Sequence, residues 1–352
     1  MKHTMSSDSG EVANHAGKRP RLDSVFPTIQ GPLTDVKHDE QLWYPDGNII
    51  LVAKGVGFRV YRGLLADRSE VFRDLFSVPQ PPDDETVDGC PIVHLSDTDI
   101  ALREFLLVLL RGKRYSQEDD PELDLLSFRI RLAHKYGVTS LLEASVSKLK
   151  ALYPSRLAVW QSMRHTFSPR AITAVNLAHL TGTLTVLPAA LYCCCQLPDA
   201  TLLRGATHPD GSNDCLNQDD LLKCIGGKVY FAQEQMQTIC FLFLRGEASC
   251  SHRCPSKPSC KGIFNKIHSK ALARAWERDT IAWAMEPWDD ILNKFDPRRH
   301  RPDSPNMLCV ACMKRIDEMI EEHFTSMWDG LPYHLGVTLD DTDKWSQSGT
   351  EE

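Results

Sequence analysis

An α+β fold is expected for this chain: a small sheet packed on a helical cluster, followed by a mostly α-helical C-terminal region. Three observations predict it. Residues 48–61 hold two short β-type runs joined by a Gly-containing link. From Leu64 onward apolar residues recur at helical spacing, broken by one further strand-like run at 91–95. Across 155–245 the pattern is helical.

Order is expected to begin near Leu42. Pro45-Asp46-Gly47 is a turn signal. Asn48-Ile49-Ile50-Leu51-Val52-Ala53 is β-branched and apolar, as in a buried strand. Lys54-Gly55-Val56-Gly57 is a tight connection, and Phe58-Arg59-Val60-Tyr61 alternates as a strand with one buried face. The two runs make a hairpin. Leu64, Leu65, Val71, Phe72, Leu75 and Phe76 follow at helical spacing, with Ser69 able to cap the second helix. A Pro-rich acidic loop, 79–89, leads to the third strand, Pro91-Ile92-Val93-His94-Leu95. Ser96, Asp97 or Thr98 caps the next helix, which carries Leu102, Phe105, Leu106, Leu109 and Leu110 inward and stops at Gly112. After the acidic loop 117–122, helices are expected at 123–136, ended by Gly137, and at 140–152.

The chain has 352 residues, enough for two folded units. Hydrophobic content of 42% and charge of 25% are ordinary for soluble globular proteins. A net charge of −7 argues against a general nucleic-acid binder. The first 17 residues lack an apolar signal-like region, and no apolar run reaches the roughly 18 residues a bilayer span requires. Twelve cysteines without an export signal predict reduced thiols in an intracellular setting, cytoplasmic, nuclear or both.

Three ordered motifs carry a family resemblance. They are Phe58-Arg59-Val60-Tyr61-Arg62-Gly63-Leu64-Leu65-Ala66 with Ser69-Glu70-Val71-Phe72-Arg73-Asp74-Leu75-Phe76, then Ile92-Val93-His94-Leu95-Ser96-Asp97, then Leu132-Ala133-His134-Lys135-Tyr136-Gly137 with Leu141-Leu142. Over about residues 44–153 the chain resembles the BTB/POZ family. Its layout is also similar to long BTB proteins of mushroom-forming fungi, which share a later Cys-x-x-Cys, a helix and a Trp-x-x-Leu-Pro motif. Here these are Cys309-Val310-Ala311-Cys312 and Trp328-Asp329-Gly330-Leu331-Pro332. Two departures stand out: Tyr61 occupies the place of the signature's histidine, and Asn48 that of the acid opening the first strand, with Asp46 two residues earlier. The resemblance implies a protein–protein interaction scaffold or adaptor and no enzyme activity. Its partners would be other proteins, including a second copy of this chain, with neither membrane nor nucleic acid in the leading reading. Two alternatives remain open. One is a nuclear transcriptional regulator touching DNA through Lys18–Arg21 and Arg298–Arg301. The other is a cullin-type ubiquitin-ligase adaptor, although the loop at 77–89 has no clear apolar-x-Glu motif.

The second half reads as helices across 155–245. One opens at Ser168-Pro169, with the proline at its first position, and carries Ile172, Val175, Leu177, Ala178 and Leu180. Leu184–Cys195 is apolar. Cys193, Cys194 and Cys195 are adjacent, so on a helix they point in different directions and read as core residues rather than metal ligands. A helix at 218–225 ends at Gly226-Gly227, and another covers 230–244. Cys250, Cys254 and Cys260, with His252 among them, sit in a polar loop, and Cys309 and Cys312 lie just before a helix. Thiolate pairs at short spacing suit tetrahedral zinc, because a tight turn aims both sulfurs at one ion. The expected structural zinc set is Cys254, Cys260, Cys309 and Cys312, with Cys250 or His252 as alternates.

Other chemistry finds little support. Gly55-Val56-Gly57 lacks the third glycine of a dinucleotide loop, and a strand follows where a helix is required. Gly226-Gly227-Lys228 lacks phosphate-loop spacing, His134 reads as a satisfied or half-exposed core histidine, and Cys90 has no local partner. Asp119-Asp120 and Asp219-Asp220 read as loop or helix-start charges. The expected organisation is a disordered tail (1–40), a BTB/POZ unit (41–153), a helical region (154–245), a cysteine-containing region with helices (246–338) and an acidic tail (339–352).

Overall fold

The computed structural model of the chain describes residues 36–78, 86–112, 122–164, 167–244, 250–277, 284–285, 287–299, 306–340 and 345. The fold is α+β, with a small mixed sheet and a mostly helical C-terminal region. Five strands, β1 (Lys37–Trp43), β2 (Ile49–Ala53), β3 (Val56–Val60), β4 (Thr86–Val87) and β5 (Cys90–His94), run in the order β1-β3-β2-β5-β4. β2 and β3 form the expected antiparallel hairpin. Ala53 faces Val56, so the turn is only Lys54-Gly55, with φ of 47° and 81°. Both are positive, as a type I′ turn requires. β5 pairs parallel with β2, Ile50 facing Ile92.

The sequence predicts three strands, and the sheet has two more. β1 begins inside the segment expected to be a disordered tail to residue 40. It pairs parallel with β3, and only Asp39 and Leu42 along it are buried. Such a polar strand carries no readable alternation. It is held by its neighbour's backbone and by Asp39, whose carboxylate accepts from the backbone N–H of Gln41 and Leu42 at 3.0 Å each and pairs with Arg103. β4 is a two-residue pairing with β5, too short to show a period.

The helices α1 (Arg62–Arg68), α2 (Glu70–Ser77), α3 (Asp99–Arg111), α4 (Leu123–Lys135) and α5 (Thr139–Leu152) follow in the expected order. Ser69 caps α2 by accepting from Phe72 N–H at 3.0 Å. Thr98 caps α3 by accepting from Ala101 N–H at 3.3 Å. Gly112, φ 66°, ends α3. Phe58, Leu65, Phe72, Phe105, Phe128, Leu132 and Tyr136 share the first core.

α4 faces two cores. Phe128 and Leu132 enter the first. Leu126 and Ile130, with Leu149 of α5, enter a second, built on α6 (Leu157–Ser162), α7 (Arg170–Thr181), α8 (Leu187–Cys195), α9 (Asp199–Arg204) and α10 (Gln218–Ile239). Cys193, Cys194 and Cys195 are all buried in that second core, as expected of small apolar residues. α7 starts one residue later than the proline signal suggests, with Pro169 at the cap. A short antiparallel pair, β6 (Ala206–Thr207) and β7 (Asn213–Asp214), is absent from the expected layout.

The two helices expected on either side of Gly226-Gly227 are one. α10 runs through both glycines and continues as a π-helical turn at Cys240–Leu244. Gly227 is buried, and a Cβ there would meet Cys195 Sγ at 2.8 Å and Leu335 Cδ2 at 3.0 Å. The glycine marks close helix packing, not a stop. A third core joins the π turn, α11 (Lys257–Glu277), α12 (Asp289–Leu292) and the first half of α13 (Val310–His334). The later half of α13 buries Trp328 and Leu331 in the second core. Trp328 Nε1 donates to Ser155 O at 2.8 Å. Trp345, in the segment expected to be an acidic tail, stacks on Trp328 and donates to its carbonyl at 2.8 Å. Among the described residues no helix is long and apolar enough to cross a membrane.

Candidate metal centre

The structure brings together Cys254, Cys260, Cys309 and Cys312, with their Sγ atoms all within 4.8 Å of one another. Two helix starts supply three of them. Cys260 lies in the first turn of α11, so it is helical rather than in the loop expected from its Pro-containing surroundings. Cys309 is the N-cap of α13 and Cys312 lies one turn on. The fourth, Cys254, sits on a turn closed by its own N–H to Ser251 O at 3.0 Å. Helix N-termini carry partial positive charge and favour thiolates.

Cys254 Sγ and Cys309 Sγ are 3.7 Å apart. Metal–sulfur bonds of about 2.3 Å in a tetrahedron set the edge between sulfurs at about 3.8 Å. Backbone N–H groups point at the sulfurs, Ser251 at Cys312 at 3.3 Å, Cys309 at Cys260 at 3.4 Å and Cys312 at Cys309 at 3.4 Å. Such donors orient the ligands and offset thiolate charge. Cys260 and Cys312 are buried, whereas Cys254 and Cys309 are half-buried. Burial pushes the Cys260 thiol up to about 12 and raises Cys312 as well. At Cys254 burial acts the same way but is outweighed by the Ser256 N–H and the neighbouring thiols, so that thiol is lowered. A divalent cation stabilises all four as thiolates and releases their protons. The four can hold a metal ion.

Of the alternates, Cys250 is buried against the cluster, its thiol meeting Cys254 and Cys312 and lying 3.8 Å from Lys257 O, whereas His252 is exposed. Among the other candidates, Cys90 donates to Gly47 O at 3.2 Å. His134 is exposed near the end of α4 rather than set in the core. Asp219 and Asp220 do lie in the first turn of α10, where the buried Asp220 meets His179 at 2.7 Å and Lys223 at 3.1 Å. Asp119-Asp120 and Lys18–Arg21 lie outside the described residues. In the basic run, Arg298 is committed to Asp296 at 2.9 Å and Asp317 at 3.0 Å, while His300 and Arg301 lie outside the described residues.

The three motifs noted in the sequence converge in space. Ser69 Oγ donates to Tyr136 O at 2.6 Å while capping α2. Asp97 accepts from the Tyr136 hydroxyl and from Lys135 Nζ, the latter at 2.6 Å. Of the two departures, Tyr61 donates to Asp46 at 2.7 Å and Asn48 Oδ1 accepts from Arg62 N–H at 2.8 Å. Only half of the apolar residues on α1 and α2 face inward. Leu65, Phe72 and Phe76 are buried, whereas Leu64, Val71 and Leu75, with Val78 just beyond, are 38–63% exposed.

Sequence reasoning missed a buried ionic network. His208 Nδ1 contacts Asp124 at 2.6 Å and Nε2 contacts Asp214 at 2.7 Å. Arg170 reaches Asp124 at 2.9 Å and Arg131 reaches Asp214 at 2.7 Å. His208 and Asp124 are 84 positions apart, so no local spacing signals their pairing. No protein-family model matches the chain, and no curated protein matches it in sequence.

Proposed function

We propose that this protein is an interaction scaffold: a BTB/POZ-type unit binds protein partners, and a helical second half, fastened by zinc on four cysteines, presents a further surface. One observation carries the reading. The residues that resemble the family's three motifs, distant in sequence, are joined through Ser69, Asp97 and Tyr136. The apolar side chains left open on α1 and α2 support it as well, because Leu64, Val71, Leu75 and Val78 are exposed and of the kind that protein interfaces bury. Four sulfurs within 4.8 Å of one another favour zinc as a structural ion, since structural zinc sites take four closed ligands. No catalytic step belongs to this reading.

The nuclear-regulator and cullin-adaptor alternatives gain nothing specific. Arg298 is neutralised within the fold, and most of the loop that a cullin motif would occupy lies outside the described residues. The test uses the full chain, because α4 and α5 bury Leu126, Ile130 and Leu149 in the second core. Affinity purification from cell extract compares the wild-type chain with Val71→Asp/Leu75→Asp, and sedimentation of both reports self-association. The expected result is a defined set of bound proteins, or a dimer, lost in the variant. The same species retained by a folded variant would overturn the reading.

A further inference from the structure

The exposed face of α11 is basic. From Cys250 to Trp276 the sequence contains no Asp or Glu, although the chain's net charge is −7. Lys257, Lys261, Lys266 and Lys270 are all exposed, and none forms an ion pair among the described residues. Arg274, half-buried on the same helix, pairs with Asp290, and Arg298 pairs with Asp296.

Helical periodicity arranges these lysines. At 3.6 residues per turn, Lys257 and Lys261 border one side of the exposed face, and Lys266 and Lys270 border the other. Between them runs a lane of Gly262, Asn265, Ser269 and Ala273, each exposed. The four lysines span about 20 Å of helix axis at 1.5 Å per residue. At the end of the lane stands Trp276, 78% exposed. Beside it, Asn265, Lys266, Ser269 and Lys270 line a shallow depression with Phe295 and Asn306, and Lys266 donates to Asn306 Oδ1.

We infer that this face of α11 binds single-stranded nucleic acid, independently of the scaffold reading. Lysines on the two opposite flanks reach the phosphates of a strand laid along the exposed crest between them, and Asn and Ser side chains add donors of the kind that contact phosphate oxygens. An indole left in solvent at the end of a basic track is a stacking platform, and base stacking requires an unpaired base. An acidic peptide would satisfy the lysines but leaves Trp276 without a role. A duplex would do the same, because its bases are already stacked.

The test is fluorescence anisotropy of a labelled single-stranded oligothymidylate with the full-length protein, titrated between about 50 and 200 mM salt. The expected result is binding that weakens with salt at a log–log slope of about −3, about −0.7 for each lysine engaged. Lys266→Glu/Lys270→Glu should weaken it tenfold or more. Trp276→Ala should weaken it about tenfold and abolish quenching of tryptophan emission. Circular dichroism and metal content, unchanged in the variants, would exclude misfolding. Absence of binding at the lowest salt would overturn the inference. So would equal affinity for a duplex, equal competition by polyglutamate, or indifference to the lysine substitutions in folded protein.

Discussion

Cys254 Sγ and Cys309 Sγ lie 3.7 Å apart although the residues are 55 positions apart in the chain. That contact joins the turn before α11 to the start of α13, and the third core sits directly on it. Purified under reducing conditions, the protein is expected to carry about one zinc per chain by elemental analysis. Cys309→Ser/Cys312→Ser should lose it, and a chelator should lower the Tm of the wild type but not of the variant. Metal-free wild-type protein with an unchanged Tm would rule out a structural ion.

Adjacent glycines of α10 should respond oppositely to alanine. At Gly227 the new methyl meets Cys195 and Leu335 below normal contact, so Gly227→Ala is expected to cost about 1–3 kcal/mol. Gly226 has open space around it, so Gly226→Ala should stabilise by about 0.4–1 kcal/mol through reduced freedom of the unfolded chain. Urea unfolding of the two variants measures the difference, and equal effects would contradict the packing described.

The His208 network makes stability depend on pH. The hydrogen bond to Asp214 raises the His208 pKa against the opposing effect of burial, and Asp124 adds to the rise. A base whose folded pKa is raised contributes stability below its unfolded value, about 6.5, and loses it as pH climbs through the folded value. Burial pushes Asp214 up, but His208 and Arg131 outweigh it and hold the carboxyl well below the usual range. Its contribution is present above about 3.9 and lost on acidification through the folded value. Tm should therefore fall as pH rises above about 6.5, and His208→Gln should flatten that limb. A variant with the wild-type alkaline slope would assign the dependence to other groups.

Ser69 serves two elements at once, accepting from Phe72 N–H and donating to Tyr136 O. Ser69→Ala removes a cap and leaves a buried carbonyl without that donor, so a loss of about 1–2 kcal/mol is expected by chemical denaturation. Ser69→Thr, which keeps the hydroxyl, should recover part of it. No loss in the alanine variant would mean that the link between the two motifs carries no stability.

Trp345 covers Trp328 and hydrogen-bonds its carbonyl. Trp345→Ala should lower stability by about 1–2 kcal/mol and shift tryptophan emission as Trp328 gains solvent. An unshifted spectrum and an unchanged Tm would show that the C-terminal segment does not hold α13.

The amino-acid sequence alone determined the α+β class, the β2–β3 hairpin, and the order of α1 to α5, with Ser69 as the cap of α2 and Ser96, Asp97 or Thr98 as candidates for that of α3. These rest on local chemistry: a tight Gly-containing turn, side-chain caps and apolar periodicity that needs no distant partner. It also held the four cysteines as a candidate set, since Cys309 and Cys312 are neighbours on one helix start. Tertiary structure decided the rest. β1 is a polar strand made by backbone pairing with β3, which leaves no mark in the side-chain pattern. The Gly226-Gly227 pair looks like a helix stop until Cys195 and Leu335 are seen filling the space a side chain would need. The convergence of Cys254 and Cys260 on Cys309 and Cys312, and of Asp124 and Asp214 on His208, depends on chain segments that meet only after helices pack. Long-range contacts of this kind have no period in sequence, because their spacing is set by the geometry of the fold.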